Sequence, residues 1–451
     1  MGRAVKRRCP VASAALTVPD APAVFFEESL FTWREADALV AGAAQQLASL
    51  GVAGGDRVAL RSLNRPEVVW FWFAAARLGA TLVPLNARLT DSEVVPLLER
   101  VRARVALGSL PGGVSLDVAP GVSRAAELDD DQVIVGLFTS GTTGTPKLIE
   151  LTQGNFRANA SANAARLGGA ATQRWFGVLP LFHIGGLAML YRCATYGASL
   201  VLESSFDAQR ACAALDAGCT HTSFVPTMLD RVIDARGPKP FRGVQAALIG
   251  GGPMSAAQLA RARAAGIPVL QTYGLTEACS QVTTEAPESA DGQTAGEPLA
   301  GVEVRIVNSD ADGVGEIEVR GATVAKGQGE WLHTRDLGAL DSRGRLKIYA
   351  RRTDLIVSGG ENVYPAEVEA VLREHPAVRD VAVIGRDDAE WGQITVAVVV
   401  TAEPSDDVLR EWARQRLAGF KVPRAWVRAE QLPRNATGKI DRAALRAIVG
   451  S

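Results

Sequence analysis

At roughly 100 to 200 residues per domain, the 451 residues of this chain ask for two to four domains, which argues against a lone binding module. Lys and Arg number 48 against 49 Asp and Glu, and the net charge of −1 argues against general nucleic-acid binding. With 47% hydrophobic and 22% charged residues the chain is balanced for independent folding, not for disorder.

The opening stretch, MGRAVKRRCPVASAALTVPD, is interrupted by Pro10, Thr17 and Pro19 and reads as a frayed N-terminus, not as a signal peptide. Thr32 with Glu35, and Thr90 with Glu93, have capping-box spacing and predict two helix starts. The most apolar run, VVWFWFAAA at 68–76, stops at Arg77, short of the roughly 20 residues that span a bilayer, and predicts a buried helix with no integral membrane segment. Strands expected at 57–61, 133–138, 199–202, 244–249 and 267–270 alternate with helical stretches, the pattern of layered α/β sheets. From 301 the segments GVEVRIVN, GEIEVRG and GRLKIYA predict a β-rich, antiparallel subdomain. Beyond 352, a helix at 365–374, strands at 378–384 and 394–401, and a helix at 405–417 suffice for a small α+β domain. The expected fold is therefore α/β, with a large N-terminal domain over 1–351 and a C-terminal domain over 352–451. Cys9, Cys193, Cys212, Cys219 and Cys279 form no C-x-x-C pair; they fit neither a disulfide framework nor a thiolate zinc site and imply a reducing, cytoplasmic setting.

The segment FTSGTTGTPK at 138–147 carries the first chemistry. Glycines admit close backbone approach, hydroxyls and amides donate to phosphate oxygens, and Lys147 adds charge, so this is a phosphate loop. It is not a Walker A loop, because counting from Gly141 places Pro146 and Leu148 where Gly and Ser or Thr are required.

With this loop, six further motifs and the lid segment follow in order: LPLFHIGGL (179–187), IGGGP (249–253), QTYGLTE (271–277), AGEPLAG (295–301), TRDLG (334–338), RRTDLIVSGGENVYPAEVE (351–369) and PRNATGKIDR (433–442). Together they resemble the adenylate-forming superfamily of acyl-CoA synthetases, carrier-loading adenylation domains and luciferase. The resemblance implies AMP-binding ligase chemistry: MgATP activates a carboxylate as its acyl-adenylate, and a thiol, usually of CoA, then takes the acyl group. It also implies a mobile C-terminal lid hinged at Thr353.

By the same resemblance, Thr139, Ser140, Gly141, Thr142, Thr143, Gly144 and Lys147 hold the β- and γ-phosphates. The adenine lies between the backbone of Gly250, Gly251 and Gly252 and the ring of Tyr273. Thr276 meets the α-phosphate, Glu277 faces Mg²⁺, Asp336 accepts the ribose hydroxyls and Arg351 supports the ribose and phosphate region. Lys439 matches the lid lysine that bridges the attacking carboxylate and the α-phosphate, where a fixed cation cancels anion repulsion. Gly359 and Gly360 border a pantetheine tunnel in the second half-reaction, while His183 and Gly274 line the acid pocket.

LPLFHIGGL lacks the Asp that α-amino acid-activating domains place in this motif, which disfavours such substrates. The run QTYGLTEACSQVTT, the 351–369 motif, and Arg192 nine residues beyond His183 are most similar to the o-succinylbenzoate-CoA ligases of menaquinone biosynthesis. In those ligases an arginine at this spacing pairs with the second carboxylate. Arg192 is the one charge in GGLAMLYRCATYGASLVL; it either finds an anion or snorkels to the surface. Four departures from the superfamily pattern stand out: a shortened 320–338 segment, Arg335 and Ala350 where Gly is usual, and Leu148 in place of Gly. Three readings remain open: a free-standing acyl-CoA ligase for o-succinylbenzoate or another aromatic or medium-chain acid, an enzyme loading a carrier protein in trans, and a non-enzymatic adenylate binder. A homo-oligomer is compatible with each.

Overall fold

The apolar run at 68–76 forms the helix Pro66–Arg77, whose successive aromatic residues Trp70, Phe71, Trp72 and Phe73 are all buried. A helix apolar on every side must be enclosed by other elements. Here Trp72 lies 5.1 Å, ring to ring, from Phe156, and Phe156 lies 5.2 Å from Tyr191. These rings join Pro66–Arg77 to the helices Gln153–Leu167 and Ile184–Tyr196. Each fully buried aromatic side chain contributes roughly 1.5 to 3 kcal/mol. The cluster thereby fixes the helix that carries Arg192.

The structure is a computed structural model, and it describes residues 6–123, 126–140, 146–251, 254, 256–309, 313–350, 356–363, 365–401, 405–433, 440 and 442–450. The chain divides into a larger unit, 1–87 with 98–138 and 148–350, and a smaller one, 88–97 with 139–147 and 351–451. Among the described residues no helix is long and apolar enough to cross a membrane.

In the larger unit, one nine-stranded sheet has at its centre the parallel strands Ser199–Leu202, Arg174–Gly177, His221–Phe224, Ala246–Ile249 and Val269–Leu275 in spatial order. The last of these turns back into the antiparallel strand Ser280–Thr284. A second, five-stranded sheet pairs Arg57–Arg61 between Val105–Gly108 and Thr81–Leu85, and ends in Val133–Ser140 and Pro146–Thr152. The expected antiparallel subdomain is a four-stranded sheet of Val302–Val307, Gly315–Gly321, Leu332–Leu340 and Leu346–Ala350. Layered α/β with a β-rich appendage is therefore the observed fold.

The N-terminus departs from its expected frayed state. Lys6–Arg8 pairs antiparallel with Glu127–Asp129, and Pro10–Thr17 is a helix that buries Val11, Ala12 and Ala14. Pro10 does not interrupt it: proline at the first helical position loses no hydrogen bond, because that N–H has no intrahelical acceptor. Thr32 and Glu35 form both halves of the capping box, and Thr90 N donates to Glu93 Oε2 at 2.9 Å.

The smaller unit is built on a five-stranded sheet in which Gly392–Val400 pairs with Asp380–Asp388, with Ala425–Arg428 and, through Ser358, with Ile356–Ser358. The helices Pro365–Arg373 and Asp406–Arg414 contribute Val368, Leu372, Leu409 and Ala413 to its core. Within this unit Arg88 pairs with Glu361 at 2.7 Å. The buried Lys421 lies 3.2 Å from Glu93 and 2.7 Å from Glu367, so its charge is matched.

Candidate active site

Parallel α/β sheets bind ligands beyond the carboxyl ends of their strands. Three predicted segments leave the large sheet there: 178–183 after Arg174–Gly177, Gly250 and Gly251 after Ala246–Ile249, and Thr276 and Glu277 after Val269–Leu275. Residues separated by up to 99 positions in sequence are thereby brought to one edge by strand order alone.

Among the residues expected to meet the nucleotide, the buried Tyr273 donates its hydroxyl to Asp336 Oδ2 at 2.7 Å. Asp336 sits in the strand Leu332–Leu340, and its N–H donates to Thr334 Oγ1 at 3.1 Å while Thr334 Oγ1 donates to the Ile317 carbonyl at 2.7 Å. Arg335, between them, has φ of 62°, and its N–H donates to Glu316 Oε1 at 3.0 Å. The position where glycine is usual in the superfamily is left-handed here, and an arginine occupies it. At Gly274 a β-carbon would overlap the Ser280 carbonyl oxygen, so glycine is required by the strand reversal itself.

Thr276, Glu277 and Ala278 form a single 3₁₀ turn, and Glu277 is largely buried. Its carbonyl accepts from the Ala325 N–H at 2.8 Å. Cys279 and Ser280, with φ of 53° and 86°, follow in a conformation that L-residues hold only under constraint from their surroundings. Among the described residues no group of three or more His, Cys, Asp or Glu could hold a metal. A lone carboxylate nevertheless fits Mg²⁺, which takes one or two carboxylates together with waters and substrate phosphates.

Among the residues expected to line the acid pocket, His183 is the N-cap residue of the helix Ile184–Tyr196, its ring 4.7 Å from that of Phe182. About two and a half turns into the helix lies Arg192, which does not snorkel: it is 2% exposed. Its Nε donates to the Ala188 carbonyl at 3.0 Å, and its guanidinium stands 5.7 Å from the centre of the Trp175 ring. Nη1 has no hydrogen-bond partner among the described residues, and no carboxylate there pairs with it. Burial pushes the guanidinium pKa down, yet an arginine stays protonated. The neighbouring Cys193 thiol is pushed up to about 12 by burial and stays neutral, as does Cys279, so neither supplies the missing anion.

Beneath Trp175 lies a residue that sequence reasoning passed over. His221 packs its ring 4.9 Å from Trp175, and burial pushes its pKa down to about 4. Gln173 Oε1 accepts from Trp175 Nε1, which turns Gln173 Nε2 toward His221 Nε2 at 3.3 Å. The imidazole must then accept at Nε2 and donate from Nδ1 to Thr220 Oγ1, 2.8 Å away, as a neutral ring. A second omission is a row of buried asparagines, Asn155, Asn159 and Asn163, on the helix Gln153–Leu167. Its signal was the four-residue spacing of Asn in GNFRANASANAARL.

In the segment expected to bind phosphate, Thr139 Oγ1 donates to the Lys147 carbonyl at 3.4 Å, and Lys147 is exposed. Gly141, Thr142, Thr143 and Gly144 lie outside the described residues, as do Gly252, Arg351, Thr353 and Lys439. Ser140 ends the strand Val133–Ser140. In the smaller unit Gly359 and Gly360, with φ of 58° and 82°, form the two-residue turn between Ile356–Ser358 and Glu361–Val363. A β-carbon at Gly359 would stand 2.7 Å from the Trp391 ring, so the turn admits no side chain on that face.

Residues 11–327 match the AMP-binding enzyme model, and 367–439 match the model of the AMP-binding enzyme C-terminal domain. The chain belongs to the AMP-binding enzyme family. It is 39% identical over 446 residues to the 2-succinylbenzoate–CoA ligase of Geobacillus kaustophilus, covering 90% of each chain. With the ligase of the same name from Bacillus subtilis it shares 35% identity over 470 residues, 96% of each chain. Among solved structures, o-succinylbenzoate CoA synthetase of Bacillus subtilis, a double mutant bound with its product analogue, matches with a TM-score of 0.93 and 34% identity over 98% of this chain and 99% of that one. The same enzyme in complex with ATP and magnesium ion matches with a TM-score of 0.75 at 34% identity, over 98% and 100%.

Proposed function

We propose that this chain is an acid–thiol ligase that joins o-succinylbenzoate to CoA. In the first step a carboxylate oxygen attacks the α-phosphorus of ATP, giving the acyl-adenylate and releasing pyrophosphate. In the second the CoA thiol attacks the acyl carbon and AMP leaves.

The observation that carries the choice of acid is Arg192, buried with an unmet Nη1 donor. A buried cation without a counter-charge is costly. A dicarboxylic substrate offers one carboxylate for activation and another to accept from this guanidinium. The family membership and the 2-succinylbenzoate–CoA ligase relatives support the same reading.

Tyr273, with the backbone of Gly250 to Gly252, takes the adenine, Asp336 takes the ribose hydroxyls, and Arg351 supports that region. The 139–147 loop takes the β- and γ-phosphates, and Thr276 the α-phosphate. Mg²⁺, held by Glu277 and phosphate oxygens, would neutralise charge on the leaving pyrophosphate. His183 and Gly274 line the acid pocket, and Lys439 offsets the repulsion between the attacking carboxylate and the α-phosphate. Thr353 is the pivot of the C-terminal domain, 352–451, and Gly359 and Gly360 lie beside the pantetheine arm. The five cysteines, all buried and unpaired, support a cytoplasmic setting.

Pyrophosphate release with o-succinylbenzoate, with and without CoA, tests this reading. One equivalent released without CoA and continuous release with it is the expected result. No dependence on o-succinylbenzoate, or no effect of CoA, would overturn it.

A further inference from the structure

Three asparagines buried in succession on one helix need a reason, since an amide removed from water is costly unless its donors and acceptors are met, and asparagine is a weak helix former. Asn155, Asn159 and Asn163 recur every fourth residue, so they share one face of Gln153–Leu167. Their partners flank Glu277. Asn155 Nδ2 donates to the carbonyls of Ala322, at 2.9 Å, and Val324, at 3.0 Å. The next residue of that loop, Ala325, donates its N–H to the Glu277 carbonyl at 2.8 Å. On the other side, Asn159 Nδ2 donates to the Gln281 carbonyl at 3.3 Å, and Asn163 Nδ2 donates to Gln281 Oε1 at 2.9 Å. Between Glu277 and Gln281 stand the two left-handed residues Cys279 and Ser280. One helix face therefore holds the turn at two points, at the Glu277 carbonyl through the 322–325 loop and at Gln281 in the strand that follows the turn.

We propose that Asn155 and Asn159 are positioning residues for the adenylation step: they fix the 276–281 turn so that the Glu277 carboxylate is presented in one orientation to the metal-nucleotide. This rests on the reading of Glu277 as the Mg²⁺ carboxylate. A carboxylate ligand serves a metal well only when its own support is rigid, and the strained backbone after Glu277 does not stay in place unaided. The helix starts at Thr152, where the strand leaving the phosphate loop ends, so the exit of that loop and the Glu277 turn share one support in the chain.

The two roles of Asn155 can be separated. Its Oδ1 accepts from Thr152 N and Thr152 Oγ1, at 2.8 and 3.1 Å, which caps the helix; its Nδ2 holds the 322–325 loop. Asn155→Asp keeps the cap and sets an oxygen against two carbonyls. Ala325→Pro removes the N–H that faces Glu277 and leaves the helix untouched. The test is ATP binding by the full-length protein across a MgCl₂ series, measured calorimetrically, alongside deuterium uptake of peptides covering 320–328. In both variants the Mg²⁺ concentration for half-maximal binding should rise about tenfold, with ATP affinity in the absence of Mg²⁺ at the parent value. Asn155→Asp should also show faster uptake over 320–328 and a melting temperature that is lowered yet stays above the assay temperature. Glu277→Gln distinguishes the failures. If it raises the Mg²⁺ requirement and the two variants do not, the positioning role is overturned. If Glu277→Gln itself leaves the requirement unchanged, the metal assignment of Glu277 falls, and the proposal with it.

Discussion

The Tyr273 hydroxyl and Asp336 Oδ2, 63 residues apart in sequence, are joined by a 2.7 Å hydrogen bond. Through it the large parallel sheet orients a carboxylate that belongs to the antiparallel subdomain. A hydrogen bond to a charged group contributes about 1.5 to 3 kcal/mol, so Tyr273→Phe should raise the KM for ATP roughly ten- to a hundredfold while keeping the ring. The KM for the acid should change little. Steady-state kinetics with each substrate varied in turn check this, and an equal rise for both would place Tyr273 outside nucleotide binding.

Arg335 holds a left-handed φ of 62° that costs a non-glycine residue about 1 kcal/mol or more. Arg335→Gly relieves it, less the added freedom of the unfolded chain, about 0.4 to 1 kcal/mol. Its melting temperature should equal or exceed that of the parent. Arg335→Val, β-branched at the same angle, should fall below both. Thermal denaturation of the three proteins decides the order, and a glycine variant less stable than the valine one would contradict it.

His221 makes stability depend on pH in a stated direction. Its folded pKa of about 4 lies below the roughly 6.5 of an unfolded histidine. The unfolded chain therefore binds the proton first, and this contribution is complete above pH 6.5 and is lost as pH falls toward 4. Between pH 7.5 and 5 the parent should lose about 2 kcal/mol more than His221→Gln, which cannot titrate. Urea denaturation at the two values measures it; equal losses would mean that His221 does not titrate differently on folding.

Much of this was legible in the sequence because its signals are local. Tyr273, Thr276, Glu277 and Asp336 stand in motifs, and strands such as Arg57–Arg61 and Ser199–Leu202 announce themselves by β-branched and apolar runs. What escaped depends on partners distant in the chain. The strand Leu332–Leu340 was hidden because HTRDLG reads as a motif and because it bends at two register shifts. The N-terminal strand and helix were read as frayed because their order comes from Glu127–Asp129 and the core around Cys9 and Val11. The asparagine row needed partners 118 to 169 residues away, and no local pattern reveals those. Arg192 could be suspected as an isolated charge, but its burial and its unmet donor are tertiary facts.

Lys439 serves one half-reaction in the proposed scheme. Lys439→Ala should slow acyl-adenylate formation by roughly 10²-fold or more, the effect of losing a charge-stabilising donor. Thioester formation from supplied acyl-adenylate should proceed at the parent rate. Single-turnover assays of each step separate them, and an equal loss in both would refute the division of labour.

The central claim is that the buried Arg192 reads the second carboxylate of the acid. The direct measurement is the KM for o-succinylbenzoate and for benzoate, in the parent and in Arg192→Ala. A charge-assisted pair is worth about 1.5 to 3 kcal/mol, so the variant should show a KM for o-succinylbenzoate ten- to a hundredfold higher, with the KM for ATP unchanged. Benzoate should be a poor substrate of the parent and should be no poorer in the variant. Equal use of the two acids by the parent, or a variant that loses both alike, would contradict the claim and return the pocket to a monocarboxylate.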